Sequence, residues 1–119
     1  MRRHEQLHAW QSAMRLIEQI YKLTEQFPAT ERYGLTDQLR RAAVSVPSNI
    51  AEGAARGSQA DCLRFLYMAR GSLSEVDTQT KIAQRLGYIV DTQEVENQLE
   101  ECFAQLGGLI NHLKAKASK

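Results

Sequence analysis

The chain has 119 residues, enough for one domain, since two would each have too little interior to stand alone. Hydrophobic residues make up 43% and only 2 Pro and 7 Gly interrupt them, which excludes a disordered chain and leaves little punctuation for a many-turned β-sandwich or barrel. Fifteen Lys and Arg against 14 Asp and Glu give a formal net charge of +1, which excludes an indiscriminate polycation that coats nucleic acid.

The pattern predicts four helices, over about 5–27, 31–57, 58–86 and 91–116. In the first, Leu7, Trp10, Met14, Ile17, Ile20 and Tyr21 recur at helical spacing until Phe27-Pro28 stops it. The second carries Leu35, Leu39, Ala42, Val46, Ile50 and Gly53. Pro47 lies inside it and frees the Ala43 carbonyl, so a kink at Pro47 or a break at Val46-Pro47 is expected. Gly57 suits a helix C-cap, and Ser58-x-x-Asp61 resembles a capping box that opens the third helix. That helix carries Leu63, Leu66, Leu73, Val76 and Ile82 and ends at Leu86-Gly87. Asp91-x-x-Glu94 opens the fourth, which carries Val95, Leu99, Cys102, Leu106, Ile110 and Leu113, with Lys114, Lys116 and Lys119 at its positive-preferring end. Long helices joined by short turns predict an all-α fold, an antiparallel up-down-up-down four-helix bundle in one domain over 1–119.

No apolar run approaches the roughly 20 residues of a membrane span. The charged start Met1-Arg2-Arg3-His4-Glu5 lacks the apolar stretch of a signal peptide. A cytoplasmic protein with no membrane partner is expected. Cys62 and Cys102, forty positions apart and without a CxxC partner, read as reduced and partly buried thiols.

His4-Glu5-Gln6-Leu7-His8 matches HExxH, in which two histidines four apart on a helix hold zinc and the glutamate acts as base. A zincin needs an upstream sheet that this chain has no room for. The remaining metal reading is a surface site of His4, His8 and His112, which an up-down bundle brings to one end. A di-iron pattern fails, because the residue three before His112 is Leu109. No P-loop or GxGxxG is present, and no central histidine partners Ser45, Ser72 or either cysteine. No catalytic residue and no cofactor is expected.

The second helix is the most informative. Gln38, Arg41, Ser45, Asn49, Glu52 and Arg56 form a continuous polar stripe beside the apolar one. Two readings stand: a solvated face with pairs such as Glu52–Arg56, or a hydrogen-bonded seam in which Ser45 and Asn49 satisfy the carbonyl that Pro47 frees. Small residues at Ala42, Ala43, Gly53, Ala69, Gly71 and Ser72 favour close packing, and each mid-helix glycine implies a packing reason. Arg64 and Glu75 on the third helix are further members. Arg40, Arg41, Arg56, Arg64 and Arg70 suit phosphate contacts and ion pairs alike. Glu52, Asp61, Glu75 and Asp77 are near enough in sequence to neutralise much of that charge.

The run Tyr33-Gly-Leu-Thr-Asp-Gln-Leu-Arg-Arg-Ala-Ala-Val-Ser-Val-Pro-Ser-Asn-Ile-Ala-Glu-Gly53 resembles the signature of a bacterial four-helix bundle family. That family is named after reading frames in 23S rRNA intervening sequences. Leu7-x-x-Trp10, Ile20-Tyr21, Phe27-Pro28 and Phe65-Leu-x-x-Ala69-Arg-Gly-Ser-Leu-x-Glu75 extend the resemblance over nearly the whole chain. It implies a bundle that assembles into a pentamer, similar to the basic, nucleic-acid-binding accessory protein of diversity-generating retroelements. It also implies intersubunit or core-polar roles for Arg40, Arg41, Ser45, Asn49, Glu52 and Glu75. This chain departs from that relative in being close to neutral.

The functional expectation is therefore a non-catalytic homo-oligomeric scaffold or adaptor. RNA or DNA would meet Arg40, Arg41, Arg56, Arg64 and Arg70, and Gln38, Ser45, Asn49, Glu52 and Glu75 would form the seam between helices or subunits. The alternatives are a pure protein-interaction module and, weaker, a metal-binding protein. Residues 1–90 hold 12 basic and 9 acidic groups, and residues 91–119 hold 3 and 5, so the neutral total conceals a mildly basic front portion.

Overall fold

The computed structural model describes residues 2–117. Four helices carry the chain: α1 (His8–Thr24), α2 (Leu35–Ala54), α3 (Gln59–Arg85) and α4 (Gln93–Ala117). Short 3-10 turns cover Arg3–Gln6 and Ala29–Glu31, and no strand occurs among the described residues. The fold is all-α. Each helix packs on its neighbours in chain order and α4 returns to α1, around one core shared by Leu16, Ile20, Leu39, Ile50, Leu66, Leu73, Leu106 and Ile110.

The helix ends follow their local chemistry. Ser58 is extended and its side chain accepts from Asp61 N at 3.1 Å, which satisfies one orphan donor at the start of α3. Gly87 sits at φ +79°, where a Cβ would be strained, and it ends the run that follows α3. Gly57 has no such role. Its φ is not positive, because α2 has already ended at Ala54. At the start of α4, Asp91 Oδ1 accepts from Gln93 N at 3.0 Å, so the acidic side chain caps the first turn directly.

Two sequence expectations change here. The apolar stripe read on the first helix is only partly its core face: Ile20 is buried and Leu7, Trp10 and Ile17 pack against the core, but Met14 and Tyr21 do not. Ala9, Ala13, Leu16, Ile20 and Leu23, spaced by four and three, are the buried set. Trp10 and Ile17 are half-buried, while Met14 and Tyr21 are exposed. The helix thus has two adjacent apolar faces, and the one with small alanines lets it approach its neighbours most closely.

The second change concerns Pro47. α2 runs unbroken through it, so no break into two helices occurs. Nor do Ser45 and Asn49 reach the freed Ala43 carbonyl. Ser48 Oγ donates to Val44 O at 2.8 Å, and Asn49 Nδ2 donates to Ser45 O at 2.9 Å. Both side chains bond back to the carbonyl four residues earlier, which is the nearest acceptor on the helix surface.

Candidate functional site

The polar stripe of α2 faces α3. Gln38, Arg41 and Ser45 from α2 and Ser72, Glu75 and Gln79 from α3 line a shallow groove of about 290 Å³. The Ser45 and Ser72 hydroxyls are hydrogen-bonded to each other across it. Asn49 Nδ2 lies 3.3 Å from Ser45 Oγ, so three side chains form a short chain of hydrogen bonds. Gln79 Oε1 is buried without a hydrogen-bond partner among the described residues. Such an atom costs free energy where it stands. The sequence reading missed Gln79, although Ser72, Glu75 and Gln79 repeat the spacing of three and four seen on α2.

Close approach of the two helices has a specific cause lower down the same seam. A Cβ on Gly53 would lie 3.1 Å from Cys62 O and 3.2 Å from Phe65 Cβ. Both atoms belong to or adjoin the α3 backbone, so only glycine fits there without a shift. Gly71 is different: it is exposed, and a Cβ on it would meet nothing within 4 Å. The chain itself supplies no packing reason for it.

The five arginines separate by role. Arg40 Nε donates to Thr24 Oγ1 at 2.8 Å and its Nη2 to Tyr21 O at 3.3 Å, with the guanidinium 4.4 Å from the Tyr21 ring centroid. It holds the C-terminal end of α1, where the helix dipole favours a cation. Arg56 pairs with Glu52 at 3.1 Å and with Asp61 at 3.6 Å. Arg64 bonds Asp61 Oδ1 through both Nε and Nη2. Both guanidiniums lie close to the buried Phe65 ring, at 4.4 and 4.5 Å from its centroid. Glu52 thus leaves the groove and serves Arg56. Arg41 keeps one partner, Asp37 at 3.0 Å, with its side chain 80% exposed. Arg70 lies against Tyr67 and has no carboxylate partner among the described residues.

A second polar seam, between α1 and α4, was not read from the sequence. Ser12 is fully buried, its Oγ 3.1 Å from Cys102 Sγ and 3.2 Å from Glu101 Oε2. Gln98 Nε2 donates to Ser12 O at 2.9 Å and to Glu101 Oε2 at 2.8 Å, and Arg15 closes the set on Glu101 at 3.3 Å. Hydrogen bonding from Arg15 holds the Glu101 carboxyl below its ordinary pKa. Burial pushes the Cys102 thiol above its ordinary value, with Ser12 opposing. The arrangement fixes the register of α1 on α4, because any slip would leave the buried serine and glutamine unpaired. Ser12, Arg15 and Gln19 at spacings of three and four were the available signal.

The far end has its own clamp. Glu31 accepts from Leu35 N at 3.0 Å, capping α2, and from Tyr88 Oη at 2.8 Å, tying the α3–α4 loop to it. The Leu35 amide and then the Tyr88 hydroxyl lower the Glu31 pKa, and the same bond raises that of Tyr88.

The metal expectation loses its geometry. His4 lies in the 3-10 turn and Leu7 is extended at φ −76°, ψ 127°, so His4 and His8 do not share a helix. The His4 ring meets Trp10 edge-on, with centroids 5.3 Å apart. His8 and His112 do line one shallow surface groove. Among the described residues no three His, Cys, Asp or Glu come together as a metal site.

These features define an all-helical protein of four long helices, joined by hydrogen-bonded polar seams between α2 and α3 and between α1 and α4. Residues 5–111 match the family described as 23S rRNA-intervening sequence protein, and the chain belongs to that family. A search of the curated proteins finds no match. None of the described helices is long and apolar enough to cross a membrane.

Proposed function

We propose that the protein is a non-catalytic helical scaffold that assembles with copies of itself. The observation that carries this is the second apolar face of α1. Met14 and Tyr21 are each 40% exposed there beside half-buried Trp10 and Ile17, and Val44, 41% exposed, lies one turn along α2 from Arg40, whose guanidinium covers the Tyr21 ring. A helix with one apolar stripe for its own core and another beside it suits a second helical surface. A net charge of +1 opposes self-association only weakly. The non-catalytic reading is supported by the nucleophiles: burial raises the pKa of both Cys62 and Cys102, which keeps them as thiols near neutral pH.

Light scattering over a concentration series tests the assembly. The wild-type chain is expected above monomer mass. The Met14→Glu/Val44→Glu double variant is expected to dissociate, with dimerisation about 100-fold weaker from two lost apolar contacts and unchanged helical circular dichroism. A wild-type monomer at all concentrations refutes the proposal.

RNA is the second partner, as the family description names 23S rRNA intervening sequences. Arg40, Arg56 and Arg64 are held against other side chains of the bundle, so the phosphate contacts narrow to Arg70, which has no carboxylate partner among the described residues, and Arg41, which is paired with Asp37 but 80% exposed. A few charges per subunit act together only in an assembly, through avidity. In a gel shift at low salt, Arg41→Gln/Arg70→Gln is expected to weaken RNA binding about tenfold and to flatten its salt dependence. Unchanged binding removes the RNA reading and leaves the self-assembling scaffold with protein partners alone.

A further inference from the structure

A cleft of about 210 Å³ opens at the end of the protein where the chain entering α1, the α2–α3 turn and the last turns of α4 meet. Its interior is aliphatic, formed by Leu7, Ile50, Leu66, Leu109 and Leu113, of which Ile50 and Leu66 are fully buried. Its rim carries Arg3, Arg56 and Lys116, and no Asp or Glu lines it. Arg56 is shared with Glu52 and Asp61, but Arg3 and Lys116 have no carboxylate partner among the described residues. Ser58 and Gln59 at the start of the 27-residue α3 lie on the same rim and add the positive end of the helix dipole. Cys62 in the wall senses this field. Burial is the larger effect and raises its pKa, the charge of Arg3 favours the thiolate and opposes that rise, and the nearby Asp61 carboxylate adds to it.

An apolar interior alone would accept many occupants, and a cationic rim alone would accept any anion. Together they select a molecule with an aliphatic body and one anionic head. The lining holds no aromatic ring on which a nucleobase could stack. Its neutral polar side chains, Ser58 and Gln59, sit at the rim, which leaves a peptide backbone unpaired inside. The volume equals about seven water molecules, room for a chain of about eight carbons.

We propose that this cleft binds an aliphatic carboxylate, the anion of a medium-chain fatty acid, with its alkyl chain on the leucines and its carboxylate between Arg3 and Lys116. A carboxylate takes charge-assisted hydrogen bonds from guanidinium and ammonium groups that have no carboxylate partner among the described residues. The site uses none of the residues assigned to self-association or to RNA, so it stands or falls separately.

Alkylation of Cys62 in the full chain reads the cleft directly, with peptide mapping to separate it from buried Cys102. Octanoate is expected to slow Cys62 alkylation, hexanoate to bind more weakly by about fourfold per missing methylene, and octanol to bind about tenfold more weakly than octanoate for want of a carboxylate. Arg3→Gln/Lys116→Gln is expected to reduce octanoate affinity about tenfold while leaving helical circular dichroism and octanol binding unchanged. Equal protection by octanol would show an apolar cleft without a head-group site, and protection by inorganic phosphate alone an anion site without a tail site. Protection that rises with protein concentration and no ligand would show a second copy covering the cleft. Any of these, or no protection at all, overturns the proposal.

Discussion

Gly53 and Gly71 make a matched pair, because both lie inside helices and only one touches another helix. Replacing an interior helical glycine by alanine stabilises by about 1 kcal/mol when the new methyl meets nothing. Gly71 satisfies that condition, since beyond its chain neighbours and its own helix backbone no described atom lies within 4 Å of the place its methyl would occupy. Unfolding entropy of about 0.25 kcal/mol per kelvin for a chain of this size turns 1 kcal/mol into a melting-temperature rise of about 4 °C. At Gly53 the same gain is opposed by contacts at 3.1 Å to Cys62 O and 3.2 Å to Phe65 Cβ. Neither atom can rotate away, so α2 and α3 must separate by a few tenths of an ångström, an overpacking that costs about 1–3 kcal/mol. The net effect of Gly53→Ala is a loss of up to about 2 kcal/mol, or a fall of up to about 8 °C. Scanning calorimetry of the two variants beside the wild type gives the comparison, run at several protein concentrations so that assembly does not enter. If Gly53→Ala melts as high as Gly71→Ala, the close approach of α2 to α3 is wrong.

Two further outcomes follow from the polar clamps. Glu31 has a lowered pKa in the folded state, so its contribution is present above the unfolded carboxyl value and lost as pH falls through the folded one. Glu31→Gln should therefore lower the melting temperature at neutral pH by more than it does near pH 3, and an equal loss at both would disprove the linkage. In the α1–α4 seam, Gln98→Leu removes the donor to the buried Ser12 carbonyl and to Glu101, for an expected loss of about 1–3 kcal/mol by urea unfolding. Adding Ser12→Ala to it should cost less than the two single losses combined, because the partners share one network; strict additivity would show that they do not interact.

Local pattern was enough to mark four helical segments and some of their caps, and the polar stripe of α2 that meets α3, but not the α1–α4 seam. Ser58 and Gly87 were legible because a cap depends on a few neighbouring atoms, and Leu39, Val46 and Ile50 because periodicity marks a buried stripe. The family was legible too, since the run through Arg40, Ser45 and Asn49 is contiguous in the chain. Packing alone settled which of two apolar faces of α1 turns inward, because Ala9 and Ala13 matter through how closely a neighbour approaches, a property of the pair and not of one helix. It also sorted the arginines, since Arg40 reaches α1 from α2 while Arg70 finds no carboxylate among the described residues. The Ser12–Gln98–Glu101 network emerged only from the folded chain, because Ser12 lies more than eighty residues from its partners. Charge and polarity are properties of a residue, but whether a charge is neutralised or a hydroxyl is paired depends on the partner that folding brings to it.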